Sequence, residues 1–228
     1  MRQRKDGLNI NFKPYTIICG HYGCGKTNLS LNIAFDLVSQ GKSVTMVDLD
    51  IVNPYFRSSD YIDKLRESGI KMKAPGSSGT TLDMPALPAE IAATFDSGDY
   101  VLIDVGGDDA GATALGRFAS KIKKLDYDLL YVINKYRPLT AESKAAAQLL
   151  SEIEAASRLK ATGVVNNSHL MQFTDEETIV STLPFAEETA RALGLPLRFT
   201  TAPRDVAERL KLDNIYPIDI HVKTPWMN

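Results

Sequence analysis

The sequence has few cysteines and no long hydrophobic segment. Cys19 and Cys24 are its two cysteines, too few for the disulfide framework of a small secreted domain. No apolar run approaches the roughly 18–20 residues that a membrane-spanning helix needs. No apolar run of the length found in a secretory leader follows the basic start MRQRK. We therefore expect a cytoplasmic protein without a membrane anchor.

Neither sign of charge is in large excess. With a formal net charge of −2, the chain has no general attraction for nucleic acid, so we expect no nucleic-acid partner. Hydrophobic residues make up 44% of the 228 residues, which is enough for one substantial core. Because no repeat, low-complexity tract or linker interrupts the chain, we expect residues 1–228 to form a single domain.

Short apolar runs alternate with amphipathic stretches along the chain. This pattern is typical of buried parallel strands and of the helices that cover them. It predicts an α/β fold with a mainly parallel twisted sheet and helices on both faces. The predicted strands span 15–19, 43–50, 100–104, 128–134, 161–167 and 178–183; one predicted helix ends near residue 40, and the others span 60–68, 88–95, 112–124, 140–157, 186–193 and 204–212.

Other local signals are weaker. Thr140, with Ser143 and Glu142 after it, indicates the start of a capped helix. Residues 74–88 are rich in Gly, Pro, Ser and Thr, so they predict a long surface loop. The segment IYPIDIHVKTPW near the end of the chain indicates a short strand or a docked extension.

The strongest motif joins the first predicted strand to the first predicted helix. Residues 20–27 read GHYGCGKT, which is a complete Walker A pattern. Glycines permit the backbone angles that turn main-chain N–H groups towards a phosphate, and the following helix directs its positive end there. Lys26 can reach the β- and γ-phosphates, and the Thr27 hydroxyl can bind Mg²⁺. The glycines are Gly20, Gly23 and Gly25.

Acidic residues end two later strands. Asp48 and Asp50 end the second predicted strand, and Asp104 ends the strand before Gly106 and Gly107. Ligands of open α/β sheets bind at the carboxyl ends of the strands, so we expect these residues to face the same crevice as the glycine loop. Carboxylates there can hold the water shell of Mg²⁺ or orient an attacking water.

Together these motifs resemble the MinD/ParA group of deviant-Walker P-loop ATPases, which carry the CobQ/CobB/MinD/ParA nucleotide-binding domain. The resemblance rests on the glycine loop, the DLD and DVGG strand ends, VVNN at 164–167 and the proline-containing helix at 183–197. The group also includes the nitrogenase iron protein and nickel-insertion ATPases. The resemblance covers most of the chain and implies a three-layer P-loop NTPase fold.

The resemblance also implies roles for individual residues. Lys26 and Thr27 would hold phosphate and Mg²⁺, Asp50 would position the hydrolytic water, and Asp48 and Asp104 would support the metal. Gly107 would offer its N–H to the γ-phosphate, and Asn166 would contact adenine with Pro184 beside it. The cofactors implied are ATP or ADP and Mg²⁺. The remaining nucleotide-contacting loop positions are His21, Tyr22, Cys24 and Asn28.

One position departs from the family pattern. The group carries a lysine at the second loop position, which reaches the partner's nucleotide across a dimer, whereas this chain has His21. Histidine is shorter and mostly neutral at pH 7. The resemblance implies a nucleotide-dependent homodimer and a protein partner, but His21 leaves the across-dimer mechanism open. No iron–sulfur cluster is expected, because neither cysteine lies in the second half of the chain.

Three classes of function remain open at this point. The first is a nucleotide-driven switch, as in metallocentre maturation or intracellular positioning. The second is a small-molecule kinase or ATP-dependent ligase of the dethiobiotin synthetase type, with an acceptor pocket built by residues 74–88. The third is a non-hydrolysing ATP-binding regulator. Tyr55, Phe56 and Arg57 follow Asp50 and are either a partner surface or an anchor for their loop.

Overall fold

The structure, a computed structural model, describes residues 10–50, 59–73, 86–107, 109–137 and 141–222. The strands are β1 Tyr15–Gly20, β2 Val44–Leu49, β3 Ile70–Lys73, β4 Tyr100–Val105, β5 Tyr127–Ile133, β6 Gly163–Asn166, β7 Leu197–Pro203 and β8 Ile215–Ile218. The helices are α1 Lys26–Ser39, α2 Ser59–Glu67, α3 Ala86–Thr94, α4 Asp109–Gly116, α5 Ala119–Ile122, α6 Ser143–Ser157, α7 Glu176–Val180, α8 Leu183–Leu193 and α9 Arg204–Arg209.

The strands form one sheet in the order β3-β2-β4-β1-β5-β6-β7-β8. Each neighbouring pair is parallel, so every strand directs its carboxyl end to the same edge. The strand that precedes the glycine loop, β1, lies near the middle between β4 and β5. The predicted α/β class is confirmed.

Side chains alternate along each strand and build two separate cores. Ile17 and Cys19 of β1 join a core that includes residues of α4, α6 and α8. Ile18, between them, joins a second core that includes the apolar face of α1. Because successive side chains of a strand point to opposite faces of a sheet, the two cores lie on opposite faces. The three-layer arrangement is therefore confirmed.

One predicted strand is wrong. Residues 178–183 were expected to be extended because Thr178, Ile179 and Val180 have high β-propensity. In the structure residues 178–180 end α7, residues 181–182 form a turn, and Leu183 begins α8. The Asp175 carboxylate accepts a hydrogen bond from the main-chain nitrogen of Thr178 at 2.7 Å, and this cap starts a helix instead.

Other boundaries also differ from the prediction. The predicted helix 112–124 is divided into α4 and α5, because the Arg158 guanidinium bonds the main-chain oxygen of Gly116 where α4 ends. Helix α6 begins at Ser143 after Glu142, whose side chain makes no capping bond. The predicted capping residue Thr140 lies outside the described residues, as do Tyr55, Phe56, Arg57 and residues 74–85. Strands β3 and β7 were not predicted.

The segment after β8 is docked on α1. The Asn32 side chain donates to the main-chain oxygen of Asp219 at 2.9 Å and accepts from its nitrogen at 2.8 Å. The Asn28 side chain bonds the same oxygen at 3.0 Å and the main-chain nitrogen of His221 at 2.8 Å. The sequence left open a short strand or a docked extension here, and within residues 215–222 the structure has both, β8 and the docked segment after it. Within the described ranges, no helix has the length and apolar character to cross a membrane.

Asn32→Ala should lower the free energy of unfolding by about 1–3 kcal/mol, because it removes buried bonds to the Asp219 main chain. Urea denaturation measures this change. The control is Gln148→Ala, which removes an exposed bond to Glu152 on α6 and should cost less than about 0.5 kcal/mol. Equal effects of the two substitutions would contradict the structural role of Asn32.

Candidate phosphate-binding site

The glycine loop lies at the carboxyl edge of the sheet, among the ends of its central strands. Gly20 ends β1 beside Val132 of β5, and Asp48 of β2 lies in register with Asp104 of β4. The acidic strand ends and the glycine loop therefore share one edge, as the sequence predicts.

At two positions of this region, neighbouring atoms lie too close for any residue other than glycine. Gly25 precedes α1 with a φ of 89°, a left-handed conformation, and a Cβ there would lie 2.3 Å from Asn167 Nδ2. Gly107 follows β4, and a Cβ there would lie 2.3 Å from the main-chain nitrogen of Tyr22. The turn after β4 thus packs directly against the glycine loop.

Lys26 is folded over the loop that it follows. The side chain is nearly buried, with 5% exposed, and its Nζ donates to the main-chain oxygen of His21 at 3.1 Å. The His21 ring bonds the main-chain oxygen of Tyr22 at 2.8 Å, so Nδ1 carries the proton, because a carbonyl can only accept. The ammonium of Lys26 is therefore held inside the arc of the loop.

Thr27 and Asp104 form a pair beneath the loop. The Thr27 hydroxyl donates to Asp104 Oδ2 at 2.6 Å. The other oxygen, Oδ1, is buried and makes no hydrogen bond of good geometry within the described residues, although the Ser30 hydroxyl lies near the carboxylate. A buried carboxylate oxygen without a partner is costly, and a cation beside it would relieve that cost. A hydroxyl beside a carboxylate is the kind of oxygen donor set that Mg²⁺ takes together with phosphate and water.

The charge of Asp104 responds to its surroundings. The pKa of Asp104 is raised from 3.8 to about 6. Burial is the main cause and the Asp50 carboxylate adds to it, whereas the Lys26 ammonium and the Thr27 and Ser30 hydroxyls oppose the rise. The influence of Asp50 places the two carboxylates within electrostatic range.

Asp48 and Asp50, at the end of β2, are joined by a hydrogen bond. The Asp48 carboxylate accepts from the main-chain nitrogen of Asp50 at 2.7 Å, so it fixes the chain at the end of β2. Both side chains are buried. Throughout the described ranges, no group of three or more His, Cys, Asp or Glu side chains could hold a metal by itself. A metal here would therefore depend on phosphate and water for most of its ligands.

The two asparagines at the end of β6 make different internal contacts. Asn166 is completely buried, and its Nδ2 donates to the Thr182 hydroxyl at 3.0 Å. An adenine contact would require Asn166 to exchange these internal bonds. Its neighbour Asn167 instead donates to the main-chain oxygen of Cys24 at 2.7 Å, so it holds the glycine loop. Adjacent asparagines in VVNN gave no signal that distinguishes the two.

The remaining predicted residues have local roles. The Asn28 side chain binds the docked segment after β8, so its own contribution to the loop is limited to the main chain. Pro184 is exposed in the first turn of α8, a position that proline favours. Cys24 is fully buried, and burial raises the pKa of its thiol. Tyr22 is 64% exposed at the tip of the loop.

Sequence reasoning also missed a residue that contacts the loop. The Arg137 guanidinium lies over Gly23, where a Cβ would be 3.4 Å from its Cζ. The only signal was the run Asn134-Lys135-Tyr136-Arg137 after β5, which resembles the start of a guanine-reading motif.

Comparisons with known proteins agree with this geometry. Residues 15–178 match the family model described as the CobQ/CobB/MinD/ParA nucleotide binding domain. No curated protein sequence matches the chain.

Solved structures share the fold at low identity. FlhF complexed with GTP and Mg²⁺ is similar with a TM-score of 0.56 at 13% identity, over 87% of this chain and 69% of that one. The cell division protein FtsY of Thermotoga maritima gives 0.53 at 18%, over 86% and 65%. The signal recognition particle receptor FtsY of Elizabethkingia anophelis gives 0.51 at 18%, over 82% and 58%. This chain thus spans less than two thirds of either FtsY chain.

Asp104→Asn should stabilise the nucleotide-free protein at pH 8. Since the folded pKa of about 6 lies above 3.8, the wild type loses stability as the pH rises from about 4 to about 6. The uncharged amide avoids that loss and can still accept from Thr27, so the gain should be about 1–3 kcal/mol at pH 8. The gain in stability should shrink towards pH 4, where the wild-type carboxyl is protonated. Urea denaturation of both proteins between pH 4 and pH 8 measures this gain, and a gain that does not change with pH would contradict the raised pKa of Asp104.

Proposed function

Because the chain belongs to the CobQ/CobB/MinD/ParA nucleotide-binding family, we propose that it is a Mg²⁺-dependent ATPase that acts as a nucleotide-driven switch. The observation that carries the proposal is the Thr27–Asp104 pair beneath the glycine loop, whose buried oxygen Oδ1 makes no hydrogen bond of good geometry within the described residues. Such a pair is costly unless a cation and an anionic ligand complete it.

The loop supplies the contacts to phosphate. Gly25 directs the chain into α1, so the first N–H groups of that helix and its positive dipole face the loop's interior. Lys26 exchanges its bond to the His21 carbonyl for one to the β- and γ-phosphates. This exchange replaces a neutral acceptor with a charged one, which strengthens the hydrogen bond.

Thr27 and Asp104 are the residues that would hold Mg²⁺. When bound, the metal neutralises charge that develops on the transferring phosphoryl group. Asp104 must be ionised for this role, and with a pKa of about 6 it is largely ionised at pH 7 and above.

Asp50 is the residue that orients the attacking water. Its main-chain nitrogen donates to the carboxylate of Asp48, and Asp48 lies in register with Asp104 of the neighbouring strand. A carboxylate held this way can accept a proton from water as the phosphoryl group departs.

The switch would act through the turn after β4. Gly107 packs against the main chain of Tyr22, so a shift of that turn towards a γ-phosphate is transmitted to α4. A homodimer or a protein partner that recognises this state is part of the proposal. Metallocentre maturation and intracellular positioning are the two settings in which such switches act in the family that the sequence resembles.

Adenine is the base that the site favours. A guanine site uses a carboxylate to accept from the base N–H groups, whereas the run 134–137 ends in Arg137, which only donates. In residues 167–175, at the end of β6, the one carboxylate is Asp175, which caps α7. FlhF is bound to GTP in its own structure, but at 13% identity its similarity to this chain concerns the fold and gives no information on the base.

Lys26→Ala should weaken Mg²⁺-ATP binding by roughly 10- to 150-fold, because a charged hydrogen bond to phosphate contributes about 1.5–3 kcal/mol. Titration calorimetry of both proteins with ATP, ADP and GTP measures this. ATP should bind the wild type more tightly than GTP.

The matched control for this titration is Lys124→Ala, which removes an exposed lysine after α5 and should leave all affinities unchanged. Equal ATP affinity of the wild type and Lys26→Ala would exclude the phosphate role of Lys26. Tighter binding of GTP would overturn the base assignment alone.

Asp50→Asn should lower the rate of ATP hydrolysis at least tenfold and leave ATP affinity within about twofold, because it removes an acceptor for the water proton. Single-turnover assays with labelled ATP separate the two quantities. A wild-type rate in this variant would remove Asp50 from the mechanism.

A further inference from the structure

A second positive charge lies against the glycine loop. Arg137 is on the β5–α6 connection, and its guanidinium covers Gly23. A Cβ at Gly23 would lie 3.4 Å from the Cζ and Nε atoms of Arg137 and 3.7 Å from Nη1. The guanidinium therefore lies over the glycine loop, in the space that a side chain at residue 23 would approach.

Arg137 is not committed to an acidic partner. In the part of the chain that the structure describes, the ion pairs of arginine are made by Arg66, Arg198, Arg204 and Arg209, and none by Arg137. The side chain is exposed. A guanidinium beside a phosphate-binding loop that makes no ion pair with a described residue is available to an anionic ligand.

The charge of Arg137 is felt inside the site. Burial is the main reason why the pKa of Cys24 is raised, and the positive charges of Lys26 and Arg137 both oppose it. Burial also lowers the pKa of His169 to about 4, and the charge of Arg137 adds to that shift. Arg137 thus lies within electrostatic range of the loop and of the segment after β6.

The main chain before Arg137 is fixed. The nitrogen of Lys135 donates to the Ser168 hydroxyl at 2.8 Å. The nitrogen of Tyr136 donates to Asn134 Oδ1 at 3.0 Å, and that of Arg137 to the Asn134 main-chain oxygen at 3.1 Å. A cation on a preorganised turn needs little reorganisation when charge develops beside it.

We propose that Arg137 binds the phosphates of the nucleotide held in the loop of the same subunit and supplies a positive charge that His21 does not. This inference rests on the proposed function, since it needs a nucleotide in the loop. The His21 ring is bonded to the Tyr22 carbonyl within its own loop. A guanidinium can bind phosphate oxygens with two parallel N–H groups and can stabilise a transferring phosphoryl group from within the same chain.

The test compares Arg137→Met with Arg137→Lys. Methionine keeps an apolar stem over Gly23 without charge, and lysine keeps the charge without the fork. Arg137→Met should weaken Mg²⁺-ATP binding by roughly 10- to 150-fold and slow single-turnover hydrolysis, while Arg137→Lys should recover part of both. The control is Arg117→Met, an exposed arginine between α4 and α5, which should behave as wild type.

The outcomes separate this inference from the proposed function. A wild type that binds no nucleoside triphosphate overturns both. A wild type that binds ATP, together with an Arg137→Met variant of equal affinity and rate, overturns the role of Arg137 alone. The third outcome is that Arg137→Met and Arg137→Lys lose ATP affinity and hydrolysis rate equally, and that both also lose stability in urea without nucleotide. This outcome would assign Arg137 to packing of the loop and would also overturn its role in phosphate binding.

Discussion

A hydrogen bond of 2.6 Å joins the first turn of α1 to the end of β4, through the Thr27 hydroxyl and the Asp104 carboxylate. It ties the glycine loop to the neighbouring strand, and the turn that follows that strand packs on the loop at Tyr22. The carboxylate is buried at a cost visible in its raised pKa. Proteins retain such groups where a ligand completes them, so the constraint that organises this edge of the sheet is also the best indication of its use.

The sheet, the glycine loop and the acidic strand ends could be predicted because each has a signal in consecutive residues. GHYGCGKT specifies its own geometry, and buried parallel strands are continuous apolar runs. The prediction of a strand at 178–183 was wrong because it followed the β-propensity of the β-branched residues and overlooked the helix cap that Asp175 provides. The bond from Asn167 to the glycine loop was not predicted, because Asn166 and Asn167 are chemically identical neighbours and only packing distinguishes their contacts.

Arg137 illustrates a different limit. Its contact with Gly23 joins segments more than a hundred residues apart, so no local pattern could reveal it. What permits the contact is a missing side chain at residue 23 and a turn held by Ser168 from a third segment. The site is therefore assembled from the ends of β1, β2, β4, β5 and β6, and the sequence predicted site residues at the ends of all of these strands except β5.

The docking of the last described segment on α1 has a consequence for sequence divergence. Asn28 and Asn32 bind main-chain atoms of Asp219 and His221, not their side chains. Recognition of this kind is indifferent to which side chains the bound segment carries. In homologues we expect both asparagines to be retained, while the side chains at 219–222 are constrained only by separate contacts, such as the Asp219–Arg204 ion pair and the packing of His221 on Phe35. Asn28, next to Thr27, would then be conserved among homologues because it binds this segment, and not because it contacts nucleotide.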